Sequence, residues 1–295
     1  MKQRRDDLIY VNVTGDRHGG SAVDYTINPA IGFADITGRM ESDQPTNAVL
    51  PAWDNIAGQM AATSVLAAER HRRLTGQGNL IKLALKDVAL ATAGHLGNLA
   101  EVQINDHDRE KVGNYLYGAF GRDFLSKDGK RLMVVGLTGR QWSALIQASD
   151  QAIRLAELET DLNTDFSQEG NRYQFREEIA AILEPFFATH SYQALVALLD
   201  EYGVCWGPYQ TFRQLLDSDP DCSEDNPLFS SMTQPGIGTF LVPGSPMRFS
   251  AGGNVPPMLA PALGQHTDEV LADMLGLSAG EIGRLHDDGV VAGVE

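Results

Sequence analysis

The residues with most chemical promise are carboxylates. Asp54 sits in Leu50-Pro51-Ala52-Trp53-Asp54-Asn55, where an apolar stretch gives way to a helical pattern. Backbone N–H groups at a helix start stabilise an anion. A carboxylate held there, beside an apolar wall such as Trp53, can attack an activated acyl carbon. Asp54 also reads as an ordinary N-cap aspartate, and its immediate neighbours alone favour that plainer role. Asp24 and Asp87 read as helix or turn caps. His18 is an acid/base candidate, although a histidine in a loop is usually just solvated. Asp16-Arg17-His18-Gly19-Gly20-Ser21 is a polar glycine-rich loop that could cradle a phosphate. It lacks the lysine and spacing of a P-loop, and no GxGxxG occurs in the chain, so a plain connection is the better reading. Arg70-His71-Arg72-Arg73 could meet a phosphate, but suits a solvated helix end better.

Other chemistries find no pattern. There is no CxxC or HExxH to hold a metal, and no GxSxG elbow for a serine hydrolase. Two cysteines exclude a disulfide scaffold and point to a reducing cytoplasm. Cys205 lies in the apolar run Val204-Cys205-Trp206 and reads as core packing, while Cys222 lies among acids that would blunt a thiolate. Thirty-nine acids against 23 bases give a net charge of −16. Such a surface repels nucleic acid and anionic membranes, and an anionic metabolite would need a local basic pocket. No apolar run approaches the length of a membrane span. The charged residues 1–7 lead straight into a strand and are no secretory signal.

The elements that position these residues follow from periodicity. Residues 7–15 read as a strand ending at Gly15. Residues 53–74 form the clearest helix, with Ile56, Met60, Thr63 and Ala67 recurring at helical spacing and small residues at Ala57, Gly58, Ala61 and Ala62. Its basic end complements the helix dipole, and Gly76 follows as a C′ glycine. Residues 79–85 read as a second strand, and Asp87 opens a helix to about Leu99. Strand, helix, strand in that order implies a βαβ unit and a parallel sheet. Residues 124–135 read as a hairpin about Lys127-Asp128-Gly129-Lys130. Helices follow near 139–148, 172–189 and 191–202, the last closed by Gly203. An acidic connection at 217–226, strand-like pieces including 238–242 and an irregular Pro/Gly-rich crossing at 243–264 come next. Two short helices end the chain: 267–275 stops at Gly276, and Ser278-Ala279-Gly280-Glu281 is a capping box. The expected fold is α/β: a Rossmann-like large domain over 1–118, a small α+β domain over 119–225, and a return segment over 226–295.

Several of these segments together resemble the family III CoA-transferases. The strand Asp7-Leu8-Ile9-Tyr10-Val11-Asn12-Val13-Thr14-Gly15 is similar to that family's DLIYxxxTG, and Leu74-Thr75-Gly76-Gln77-Gly78-Asn79 to its TGxGQ entry. Tyr202-Gly203-Val204 with Gly207-Pro208 resembles aGVPxGPv. Pro261-Ala262-Leu263-Gly264-Gln265-His266-Thr267-Asp268-Glu269-Val270-Leu271 is the most specific match, to PxLGeHTdEVL. The resemblance runs from residue 7 to 291. It implies that Asp54 is the catalytic nucleophile, reversing the plainer local reading. It also implies a CoA thioester as substrate, no permanently bound cofactor, a carboxylate acceptor and an interlocked homodimer; no metal is expected, since the ligand patterns are missing. The stretches around residues 24–28 and 50–76 resemble a member that moves CoA between two carboxyls of one branched dicarboxylate. The family's α-methylacyl-CoA racemases carry Gly-His-Asp where this chain reads Ala22-Val23-Asp24, and a valine cannot move a proton, which disfavours that alternative. The family's chain is longer at the front, where most CoA contacts are expected, leaving a non-catalytic remnant as a further alternative. The strand at 8–13 would then lack neighbours, and the chain alone is expected to aggregate and to bind CoA weakly.

Overall fold

The computed structural model describes residues 5–252 and 256–294; residues 1–4 of the charged start, residues 253–255 of the Pro/Gly-rich crossing and residue 295 lie outside the described residues. The chain divides into two compact units, Met1–Tyr209 and Gln210–Glu295.

The first unit opens with β1 (Tyr10–Thr14), which pairs in parallel with β2 (Leu80–Ala84) from Tyr10↔Leu80 to Thr14↔Ala84. Among the described residues this parallel sheet has two strands. Between them run α1 (Asp24–Ala30), α2 (Phe33–Ile36) and α3 (Ala52–Thr75). The 24-residue α3 ends as expected at Gly76, whose φ of 72° is a left-handed cap conformation. The next helix, α4 (Leu85–His95), starts two residues before Asp87, directly after β2. Lys86 donates its backbone N–H to Gly15 O at 3.0 Å, tying the start of α4 to the end of β1. Gly97, with φ 83°, separates α4 from α5 (Asn98–Asn105). Ile27, Trp53, Ala57, Leu85, Val88 and Ala89 bury themselves together, so α1, α3 and α4 share one core.

The same unit contains a second core. The expected hairpin is β3 (Phe120–Leu125) with β4 (Arg131–Gly136), and Ser126 N–H closes its turn on Lys130 O at 2.8 Å. Five helices pack around it: α6 (Gly139–Ser149), α7 (Ala152–Leu162), α8 (Glu169–Gln174), α9 (Arg176–Thr189) and α10 (Tyr192–Glu201). The sequence pattern anticipates neither α7 nor the break at Phe175 that divides 172–189 between α8 and α9. Leu155 is the one fully buried residue of α7, too weak an apolar stripe to read. Phe120, Leu132, Leu145, Leu183, Phe187 and Leu195 are fully buried at the centre. β5 (Cys205–Pro208) adds a third strand antiparallel to β4. Here the expectation for Cys205 is corrected. Successive strand residues face opposite ways, so Val204 takes the buried place and Cys205 is exposed.

The second unit holds α11 (Phe212–Ser218), the antiparallel pair β6 (Phe229–Gln234) and β7 (Gly238–Pro243), α12 (Thr267–Glu269) and α13 (Ala279–Asp287). α12 continues into a π-helical turn, Val270–Met274, before Gly276. The capping box is present: Ser278 Oγ accepts from Glu281 N–H, and Glu281 Oε2 accepts Ser278 N–H at 2.8 Å. The acidic connection includes a 3₁₀ turn, Pro220–Cys222, which leaves Cys222 half-buried. Among the described residues no helix is long and apolar enough to cross a membrane.

Candidate active site at the start of the long helix

Asp54 is the third residue of α3, exposed on one wall of a cavity of about 400 Å³. The cavity lies where β1 and β2 end: Val13, Thr14 and Gly15 contribute from β1 and its exit, and Leu85 follows β2. Ligands of parallel α/β sheets collect at the carboxyl ends of the strands, where backbone and loops are free to meet them. The remaining wall is Ala22 and the α3 residues Asp54, Ala57, Gly58 and Ala61. Positions 54, 58 and 61 recur at i, i+4 and i+7 and share one helix face, while 53, 56 and 57 face the core. One helix thus presents a carboxylate above a strip without bulk, and anchors that strip with its other face.

Glycine is required where the wall turns. A Cβ on Gly15 would lie 2.2 Å from Ala22 N and 2.5 Å from Gly20 O, because the 16–21 loop folds back on the strand end. At Gly58 the reason differs: a Cβ there would meet nothing within 4 Å, since it points into open space beside Asp54.

The local environment of Asp54 differs from the sequence expectation in two respects. Asp54 is not the N-cap; that position is Pro51, which has no side-chain acceptor. The first-turn amides are taken by Asp24, whose Oδ2 accepts from Trp53 N at 2.7 Å and from Asp54 N at 3.4 Å. Asp24 is therefore a helix cap, as expected, but of a helix some 30 residues downstream in the chain. Trp53 is not the apolar wall either. Its ring is buried, 5.4 Å from the Phe33 ring centroid, with Nε1 donating to Asn28 Oδ1 at 3.2 Å. Val13, Ala22 and Leu85 supply the apolar wall instead.

The other sequence candidates stay apart from this cavity. In the 16–21 loop two backbone donors that could hold a phosphate are occupied, because Asp16 Oδ1 accepts from both His18 N and Gly20 N at 2.8 Å. Those backbone bonds, the Gly20 one foremost, hold the Asp16 carboxyl below the usual carboxylate range. The His18 ring is exposed and accepts from Arg17 Nε at 3.1 Å. Arg72 and Arg73 pair with Glu69 at 3.3 and 2.7 Å. At 1.5 Å rise per residue they sit about 27–28 Å along α3 from Asp54. Asp87 is an exposed first-turn residue of α4. Val23, the residue that the resemblance sets against the racemase histidine, takes the N-cap position of α1 and is exposed. Among the described residues no group of three or more His, Cys, Asp or Glu side chains could hold a metal. The buried pair Asp24 and Asn28 is the part of the site that the sequence hid. Its one signal is two polar residues four apart in a helix whose other buried residue is Ile27.

Comparison with known proteins bears on the family and the fold. The model of CoA-transferase family III matches residues 1–267. The chain is 54% identical over 293 residues to 2-methylfumaryl-CoA isomerase of Chloroflexus aurantiacus, covering 99% of this chain and 72% of that protein. It is 27% identical to succinyl-CoA–D-citramalate CoA-transferase of the same organism, of which it spans 59%. A crystal structure of a CaiB/BaiF family protein from Brucella suis superposes with a TM-score of 0.69 at 21% identity, over 92% of this chain and 69% of that one. That likeness concerns the fold.

Proposed function

The chain belongs to CoA-transferase family III, and on that premise we propose that it moves CoA between the C1 and C4 carboxyls of mesaconyl-CoA, as a 2-methylfumaryl-CoA isomerase. The observation that carries this reading is the 54% identity to a protein of that name, joined to a carboxylate on the wall of a cavity at the strand ends. Asp54 is the nucleophile. Its carboxylate oxygen attacks the thioester carbon, the C–S bond breaks, and CoA leaves as thiolate from an aspartyl mixed anhydride. The thiolate attacks the aspartyl carbonyl, releasing the substrate carboxylate and leaving an aspartyl-CoA thioester. The second carboxylate of the same molecule attacks that thioester, and the returning thiolate takes the new acyl carbon and frees Asp54. Each step exchanges one activated acyl group for another, so neither ATP nor a resident cofactor is required; CoA arrives as part of the substrate. Having donor and acceptor carboxyls in one molecule raises the effective concentration of the acceptor.

The same reading includes a cytoplasmic location and an interlocked homodimer. It assigns residues 1–118 to a large domain, 119–225 to a small one and 226–295 to the return. The buried clusters centred on Trp53 and on Leu132 support separate large and small cores. The test is NMR of mesaconyl-CoA labelled with ¹³C at C1. Conversion of the C1 thioester to the C4 thioester, with no label passing into an added pool of unlabelled free mesaconate, supports the reading. Transfer that depends on an added carboxylate would replace it with an intermolecular CoA-transferase.

A further inference from the structure

The start of α3 has an unusual division of labour. A helix begins with N–H groups that have no intrahelical partner, and a side chain at the N-cap normally takes one or two of them. Pro51 offers none. The acceptors can be traced one by one. Ala52 N goes to Leu50 O at 2.8 Å, and Asn55 N begins the helical ladder on Pro51 O at 3.2 Å. The two in between, Trp53 N and Asp54 N, converge on Asp24 Oδ2. One of them is the backbone N–H of the proposed nucleophile itself.

Asp24 does not act alone. Asn28, four residues on and on the same face of α1, accepts from the Trp53 indole, and its Nδ2 donates to Asn47 Oδ1 at 2.6 Å. Asp24 and Asn28 are 2% and 5% exposed. A carboxylate so deeply buried is costly unless its hydrogen bonds are made, and the bonds here are to the first turn of α3. Neither residue lines the cavity. Residue 53 is thus gripped by backbone and by ring, while residue 54 is aimed the other way.

We propose that Asp24, seconded by Asn28, is the positioning residue for Asp54: a cap lent by α1 that fixes the first turn of α3 and thereby the direction of the nucleophilic carboxylate. This rests on the reading of Asp54 given above. Its consequence is that Asp24 affects the chemical step without touching substrate.

The test compares Asp24→Ala with Asp24→Asn in the full natural chain, using kcat and KM for the CoA thioester and hydrogen exchange of the Trp53 and Asp54 amides. Removing the acceptor should speed exchange at both amides and lower kcat by about 10- to 100-fold while leaving KM near its original value. Asparagine keeps an acceptor oxygen at the same place, and should restore slow exchange and most of kcat. Should Asp24→Ala not fold, Asn28→Leu removes the ring anchor together with the bond to Asn47 while leaving the Asp24 cap in place, and should give a smaller fall in kcat with unchanged KM. Asp24→Asn as inactive as Asp24→Ala, with slow exchange retained, would overturn the proposal in favour of a direct charge or proton role. Fast exchange with undiminished kcat would overturn it too. Failure of the Asp54 reading is separately visible: Asp54→Ala would retain turnover, whatever the amides do.

Discussion

Gly58 offers a perturbation in which stability and activity should move in opposite directions. It is the seventh residue of a 24-residue helix, where glycine is costly because the unfolded chain is so free. Its Cβ position meets nothing within 4 Å. Gly58→Ala should therefore stabilise the fold by about 0.5–1 kcal/mol, the difference in helix propensity, with no clash to offset it. The methyl group enters the cavity of about 400 Å³ that Asp54 lines. Residues four apart on a helix carry their Cβ atoms about 5–6 Å from each other, so the γ-methyls of Gly58→Val would occupy the space in which the proposed mechanism brings an acyl group to Asp54. Displacing a reactant by about 1 Å can cost 100-fold, and valine should lower kcat/KM by at least that, alanine by less. The assays are urea unfolding and steady-state isomerisation on the same preparations. Loss of stability in Gly58→Ala would refute the open space beside the helix. Full activity in Gly58→Val would remove this cavity from the reaction.

Four further outcomes are expected. Asp54→Ala should abolish transfer while leaving the far-UV circular dichroism and unfolding midpoint near those of the natural chain. If Val23 replaces the racemase histidine, as the resemblance implies, the chain should not exchange the α-proton of a 2-methylacyl-CoA in heavy water; rapid deuterium uptake by NMR would restore a racemase. Leu183→Ala, in the fully buried core of the 120–204 region, should cost about 2–5 kcal/mol in urea unfolding. Asp128 is held below the usual carboxylate range, first by the Ser126 hydroxyl and then by Tyr192 N–H. Its folded value lies below its unfolded value, so its contribution is complete above the ordinary carboxylate range and is lost as pH falls through its folded value; Asp128→Asn should flatten the fall of stability in that acid window.

What the sequence made legible was periodic or local. The long helix, its glycine stop, the parallel strand pair, the hairpin and the Ser278 capping box are written in spacings of a few residues, and the structure repeats them. The contents of the site were only half legible. Asp54 stood out by its place at a helix start, but its surroundings are set by residues brought from elsewhere: the cap from Asp24 and the apolar wall from Val13, Ala22 and Leu85. Trp53 adjoins Asp54 in sequence and yet faces the core, because neighbours on a helix point about 100° apart. Cys205 was misread for a related reason. An apolar run says that a strand is present, but which alternate residues face inward depends on its partner, and β4 lies some 70 residues away in the chain. α7 was missed because a single buried leucine leaves no stripe to read.

The claim on which the mechanism turns is a covalent bond to Asp54, and trapping during turnover tests it most directly. The protein is mixed with mesaconyl-CoA and hydroxylamine, digested, and its peptides are read by tandem mass spectrometry. A hydroxamate on Asp54 that forms only with the CoA thioester present is the expected result. Continued isomerisation with no adduct at Asp54, or an adduct confined to another carboxylate such as Asp24, would contradict it.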